Sequence, residues 1–540
     1  MKKIIVLFFV VTCLQMQAQV VYEPLHRDVY NFLSRLSQKG TITFNDEIKP
    51  LSRKYISEKL SEVSEKLSEL TPLEKEEFDF FKQDFFYELN LKTDTTKHLS
   101  YLGKDDAGRM RLFSYKDDLF TFNLSPILGY SYGKNDGLRN NHFWNGVYFY
   151  GYVSDAIGFS FDFRDNSENG KGVDFSKSFT PVTGISARGH GTNIQYSEGR
   201  TTIATGWSWG SFAVGKDFLE WGYGESGKLV LSQKAPSFPF IRLDVQPVSW
   251  LRFNYIHAWL ASDVVDSNSF YPVYNNGQRF LFRDKFLASH TLTITPLKGL
   301  DISFGESIIY SDKLEPVYFF PLAFFRVVDH YLSRQNNSAG SNSQFFFSVS
   351  SKNHLKNTHL YSTLFIDEIT LSGLFNSENQ RNQLGFTLGG SITDLPIKNL
   401  TFTTEFTKIF PFVYSHFIPT QTYQSGSYPL GHWMGANADL FYASLNYRIL
   451  RGLQVKIWGQ YIRKGEAGTL IQQYSQPQPP FLFGLRNNFS YYGLSASYEF
   501  IHELFAKLDF QQTKTETQQA DLSFIDSSTN QVSFAVYYGL

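Results

Sequence analysis

The chain has 540 residues, 50 basic and 51 acidic, a formal charge of −1, and a single cysteine. Without a concentrated basic patch it is not built to bind nucleic acid, and one cysteine excludes a disulfide framework. No apolar run after residue 20 has the length of a membrane helix, yet 53 Phe, 32 Tyr and 39 Gly suit strands that alternate, turn often and carry aromatic girdles.

In chain order, Lys2 and Lys3 precede an apolar run over 4–11, and Gln17-Ala18-Gln19 supplies small residues for cleavage. This reads as a signal peptide over 1–18. Cys13 leaves with it, and Thr12 is not the small residue that lipidation would need before that cysteine. Residues 19–95 read as a small helical bundle. Leu25, Val29, Phe32, Leu33 and Leu36 share one helical face, with Gly40 as a stop. Ser52 can cap a second helix carrying Ile56, Leu60, Val63, Leu67 and Leu70. Thr71-Pro72-Leu73-Glu74 forms a capping box that opens a third, striped by Phe78, Phe81, Phe85 and Leu89. Such stripes must pack on one another or on a neighbouring mouth, as spacer or as plug.

The rhythm over 96–540 is β. Ile157, Phe159, Phe161 and Phe163 alternate with Gly158, Ser160 and Asp162. Leu300, Ile302 and Phe304 follow Lys298-Gly299, and Leu453, Val455, Ile457 and Tyr461 follow Arg451-Gly452. Apolar and polar faces two residues apart, joined by short turns and then by long connections, predict a transmembrane antiparallel β-barrel. At about 24 residues per strand and connection, some 430 residues give roughly 18 strands. The last residues, 532–540, set Val532, Phe534, Val536, Tyr538 and Leu540 on one face, as in a closing strand read by the barrel-assembly machinery. Phe534, Val536, Tyr538 and Leu540 are the expected assembly signal, with Leu540 where a Phe is more usual. The expected setting is the outer membrane, with lipid around the barrel.

Two motifs imitate catalytic ones. Gly206-Trp207-Ser208-Trp209-Gly210 fits G-x-S-x-G, but Phe212-Ala213-Val214 after it reads as strand where a nucleophile elbow needs a helix. Gly222-Tyr223-Gly224-Glu225-Ser226-Gly227 fits a dinucleotide fingerprint, but Lys228-Leu229-Val230-Leu231 does not start a helix, so a tight glycine loop is the reading. The twelve histidines include no H-E-x-x-H, and His354 and His359 sit five apart in a polar, solvated stretch. Neither a cofactor nor a metal is expected.

Five further stretches carry a resemblance. Gly215-Lys216-Asp217-Phe218-Leu219-Glu220-Trp221-Gly222-Tyr223-Gly224 runs on to Ala235-Pro236-Ser237-Phe238-Pro239 and Arg242-Leu243. Gly305-Glu306-Ser307-Ile308-Ile309-Tyr310 is followed by Pro316 and Pro321, and Leu360-Tyr361 by Ile366-Asp367-Glu368. Gly431-His432-Trp433-Met434-Gly435-Ala436-Asn437-Ala438-Asp439 comes late, and Pro50-Leu51-Ser52-Arg53 early. In this order they resemble the Wzi family of capsule assembly proteins. The resemblance implies an outer-membrane barrel with a periplasmic helical bundle and a lectin-like, non-enzymatic role in holding capsular polysaccharide.

A sugar binder needs flat rings for pyranose faces and short polar groups for hydroxyls. Trp207, Trp209, Trp221 and Tyr223 lie close in sequence with Glu220 and Lys216. Tyr423, Tyr428, His432 and Trp433 form a second group with Asn437 and Asp439. Residues 474–488, with Arg486, form a third. Glu306, Asp367 and Glu368 are expected as charge pairs in the lumen. The same alternating polar face also suits a water-filled conduit, the competing reading.

Overall fold

The computed structural model describes residues 18–90, 97–185, 191–336, 340–368 and 382–539. All but the last residue of the expected signal peptide, and Leu540 of the expected assembly signal, lie outside them. A hairpin of β1 (His98–Lys104) and β2 (Met110–Lys116) leads into the barrel. Its strands are β3 (Phe120–Asn135), β4 (Leu138–Val153), β5 (Ile157–Asn169), β6 (Asn193–Trp207), β7 (Gly210–Asp217), β8 (Phe238–Val248), β9 (Leu251–Leu260), β10 (Lys285–Leu297) and β11 (Leu300–Ser311). They continue as β12 (Asn342–Lys352), β13 (Thr358–Glu368), β14 (Gln383–Thr393), β15 (Leu400–Ile409), β16 (Ala438–Leu450), β17 (Leu453–Lys464), β18 (Asn487–Ile501), β19 (Leu504–Gln518) and β20 (Phe524–Tyr538).

These are 18 antiparallel strands in a closed barrel. Closure runs from Gln531 opposite Asn135 to Tyr538 opposite Leu128. Below that, β2 takes the free edge of β3, from Phe113 opposite Leu124 to Lys116 opposite Thr121. Pairing right round the ring leaves no strand edge to face lipid unpaired. The alternation follows: Val532, Phe534 and Val536 are exposed on the lipid side, while Tyr537 turns inward, stacking on Phe505 at 4.9 Å and meeting Trp144 at 5.8 Å. Toward the outer end of β20 the pattern changes: Phe524, Ile525, Asp526, Ser527 and Ser528 are exposed on both faces.

Short turns gather at the end where the barrel's first and last strands begin and finish, which makes it the periplasmic end. At 298–299 and 451–452, Gly299 (φ +81) and Gly452 (φ +78) supply the left-handed backbone such turns require. The long connections lie at the outer end.

The bundle comprises α1 (Val29–Gln38), α2 (Arg53–Ser64), α3 (Pro72–Asp84) and α4 (Phe86–Asn90). Ser52 caps α2 by accepting from the Tyr55 N–H at 3.1 Å, and Thr71 and Glu74 close the capping box on α3. Phe32, Leu33, Leu36, Ile56, Leu60, Val63, Phe78 and Phe81 make a core of the bundle's own. The single third helix expected from the sequence is broken at Phe85, which turns its ring fully into that core.

Ion pairs dock this body on the periplasmic turns. Arg27 meets Glu503 at 2.5 Å, Arg35 meets Asp394 at 2.5 Å, and Arg448 of β16 reaches Asp28 at 2.9 Å and Glu77 at 2.7 Å. Asp46, between α1 and α2, pairs with Lys352 of β12 at 2.6 Å. Just beyond it, Ile48–Lys49 pairs antiparallel with Glu220–Trp221, which belongs to an outer loop folded into the barrel. Segments entering from opposite ends therefore meet inside the lumen.

Candidate functional site

That outer loop, 218–237, turns inward at Gly222 (φ +93) and Gly224 (φ +159), so the glycine fingerprint is a tight loop as read. The Gly222 N–H donates to the Glu47 carbonyl at 3.0 Å. The Glu225 and Ser226 N–H groups donate to the carboxylate of Glu405, on β15, at 2.7 and 3.0 Å, and the Tyr361 hydroxyl adds a third bond at 2.7 Å. A second outer loop, 410–437, folds over the first. The Tyr414 and Tyr423 hydroxyls donate to the Leu229 and Val230 carbonyls at 2.8 and 3.0 Å, and Trp433 Nε1 donates to the Ser226 carbonyl at 2.6 Å.

This places most sequence candidates. Trp221 is 1% exposed and packs edge-on to Phe346. Tyr223 sits between His359 and Tyr361. His432 is fully buried, and burial pushes its imidazole down to about 3. Glu220 accepts from Gln233 at 2.7 Å. Asn437 pins the 465–486 loop, donating to the Glu466 and Phe483 carbonyls and accepting from the Leu482 N–H at 2.7 Å. Asp439 pairs with Arg463 at 2.5 Å. Tyr428 donates to the Ser176 carbonyl at 2.8 Å, and half-buried Arg486 lies over Phe524. The structure thus brings Trp221, Tyr223, His432 and Trp433 together as the packing of an inner plug. Trp207 and Trp209 stand apart from them, at the periplasmic turn 208–209.

Other expectations change. His359 is not solvated: it lies on the inward face of β13, bonded to Ser350 at 2.9 Å, while His354 stays exposed beside Ser351. Glu306 accepts the Phe325 and Arg326 N–H groups at 2.8 and 2.6 Å. It therefore caps an outer-loop helix, α5 (Phe325–Asn336), with His290 Nε2 3.7 Å from its carboxylate. Asp367 likewise accepts the Tyr414 N–H at 2.6 Å. Ser208 lies between two strands with no helix after it, which removes the nucleophile elbow. Among the described residues no cluster of three His, Cys, Asp or Glu could hold a metal ion.

Two accessible cavities remain toward the outside. One, of about 540 Å³, lies between α5 and the loop residues His416, Phe417 and Tyr474, with Arg326, His330 and Arg334 on its wall. Burial holds His416 down near 4, so the imidazole is neutral there at pH 7. The other is a corridor of about 730 Å³ along the inner face of β16–β20. Asn135, Asn140 and Gly172 mark its outer mouth, Tyr442, Trp458 and Tyr491 line it, and Asn31 of α1 forms its floor. Gln454, Gln460, Gln511, Thr513 and Gln531 supply amides and hydroxyls between the rings. A Cβ at Gly493 would lie 2.1 Å from the Trp458 indole, so the glycine lets the ring lie against the wall. Rings interleaved with amides recognise polyols. In the loop that joins β9 to β10, Phe270, Tyr271 and Tyr274 are exposed, Tyr274 to 91%.

Sequence reasoning missed Tyr442, Trp458 and Tyr491. The signal for Trp458 was present: it sits on the polar parity of β17, between Lys456 and Gln460, where an indole has no lipid to meet.

The family model of the capsule assembly protein Wzi matches residues 156–539. No curated protein sequence matches the chain. Among solved structures it is similar to the Wzi of Escherichia coli, described as an outer membrane protein involved in group 1 capsule assembly and a carbohydrate-binding β-barrel. That likeness has 13% identity, covers 97% of this chain and 100% of that one, and has a TM-score of 0.57. Pseudomonas aeruginosa OprD overlaps at 11% identity, 77% of this chain, 94% of that one and a TM-score of 0.41. OccK7 of the same organism overlaps at 12% identity, 78%, 98% and 0.43. Overlaps of that looseness carry nothing about function.

Proposed function

Because the chain belongs to the Wzi family of capsule assembly proteins, whose barrels sit in the outer membrane, we propose that it retains a surface polysaccharide there by reversible, lectin-like binding, without chemistry on the polymer. The observation that carries this reading is the outward corridor, lined by Tyr442, Trp458 and Tyr491 among amides and floored by α1. A floored corridor holds a chain end and does not pass it on, which favours retention over the conduit. The carbohydrate binding of the similar Escherichia coli barrel points the same way. Each site is weak, and a repeating polymer held by many copies gains by multivalency.

The test is the split between cell-bound and released polysaccharide in a deletion strain and its complemented parent. The expected result is unchanged total polymer, with a larger share in the medium for the deletion. Complementation with Trp458→Ala is expected to leave most of that share released, since it removes the indole face of the corridor. Unchanged attachment in the deletion strain overturns the reading.

A further inference from the structure

The periplasmic rim carries a cavity of a different kind. About 600 Å³ lies between α2 and the turns that join β6 to β7 and β8 to β9. Trp207 and Trp209 form one wall, an edge-to-face pair with centroids 5.2 Å apart. Tyr55, Arg252, Arg242 and Asn45 form the others.

Most polar groups of this lining are used up among themselves. Asp244 accepts from Tyr22 at 2.9 Å, from Arg242 Nε at 3.0 Å and from Asn254 at 2.7 Å. Arg252 donates to the Tyr55 hydroxyl at 3.2 Å. Lys54 and the exposed Glu58 of α2 add one charge of each sign at the cavity's edge, and three buried donors are left over. Asn45 Nδ2, Arg242 Nη1 and Trp207 Nε1 have no hydrogen-bond partner among the described residues. Asn45 is 8% exposed and Arg242 2%, and Arg242 is held rigid over the Tyr22 ring at 4.5 Å. An orphaned buried donor is costly, and all three belong to residues lining one cavity, so the complement is a ligand rich in acceptor oxygens. The guanidinium, whose carboxylate partner is already saturated, selects an acidic one. The indole pair, with Trp209 47% exposed, offers a face for sugar C–H groups.

We propose that this cleft is a second saccharide site, facing the periplasm, that takes a carboxylate-bearing oligosaccharide. It uses none of the corridor's residues, so its failure leaves the retention reading standing. Two sources share the chemistry: an acidic stretch of the exported polysaccharide and the N-acetylmuramic acid units of cell-wall glycan.

The experiment titrates the purified full-length protein in detergent by calorimetry. The probes are acid-hydrolysed fragments of the cell's own surface polysaccharide, a wall disaccharide of N-acetylglucosamine and N-acetylmuramic acid, and a neutral malto-oligosaccharide. Measured in the Trp458→Ala background, which removes the corridor's own binding, the expected result is binding of one acidic probe, weakened about tenfold by adding Trp209→Ala. Arg242→Lys, which keeps the charge but loses the fork, reduces the preference for acidic over neutral sugar. Which acidic probe binds identifies the source. Binding of neither acidic probe overturns the proposal, as does equal binding of the neutral sugar or an affinity insensitive to Trp209→Ala. The heat-modified gel mobility of each variant shows that the barrel is folded.

Discussion

The two ends of this barrel are closed by different chemistry. At the periplasmic end a body with its own core is docked by charges: Arg27 to Glu503, Arg35 to Asp394, Arg448 to Asp28 and Glu77. At the outer end, loops 218–237 and 410–437 have become part of the barrel's own apolar cluster, with Trp221, Leu229, Val230, Tyr423 and Trp433 buried against wall residues such as Phe346 and Phe365. Buried ion pairs fix a docking geometry while adding little net stability over an apolar isostere. Buried rings contribute directly, at roughly 25 cal/mol per Å² removed from water. The bundle is therefore held largely by charges, with Ile48 as its apolar link to the lumen, whereas the outer plug shares the apolar core of the wall.

The largest test of this contrast is electrical. Removing residues 19–90 takes away Asn31, the corridor's floor, and is expected to turn a nearly silent barrel into a conducting one in planar bilayers. Replacing 218–237 by a short Gly-Ser turn with the bundle kept is expected to leave it nearly silent. Conductance from the loop variant alone would break the comparison. Next, Trp221→Ala is expected to lower barrel stability by about 3–5 kcal/mol, the range for deleting a buried aromatic ring, read from the denaturant midpoint. Arg448→Ala is smaller, about 1.5–3 kcal/mol for a charged hydrogen bond. It should appear as faster proteolysis of the bundle with no change in the barrel's midpoint.

The smallest effect is that of pH. Burial works against the charged form of Glu503, but Arg109, Arg27 and Arg111 outweigh it and hold this carboxyl well below the usual range. A depressed carboxylate contributes docking energy in full above its unfolded value of about 4.3, and loses it only as pH falls toward the folded one. Bundle protection from protease is therefore expected to stay flat from pH 8 to 5 and to decline only below about 4.

The fold was legible because a barrel wall is written locally. Alternation in Ile157 through Phe163, glycine turns at 299 and 452, and the terminal Phe534-Val536-Tyr538 face each specify a piece of it. The site was far less so, for two physical reasons. Trp209 and Trp221 are neighbours in sequence, yet β7 between them runs eight residues, about 26 Å at strand rise, so they lie at different depths of the barrel. The inward course of loop 218–237 is fixed by Glu405, a carboxylate some 180 residues away in sequence, which no local pattern announces. Which parity faced the lumen could be read. Which part of the lumen the loops would fill could not.

The outer ends of β19 and β20 have an effect on direction. From Val532 outward the lipid-side residues become Asn530, Ser528 and Asp526, and the last residues are exposed on both faces. Eight residues of paired strand stand clear of the bilayer as a stiff ribbon on one side of the mouth, on the order of 20 Å high. Under the proposed retention, a polymer leaving the corridor would lean on that ribbon, so each copy would fix a bearing as well as an anchor point.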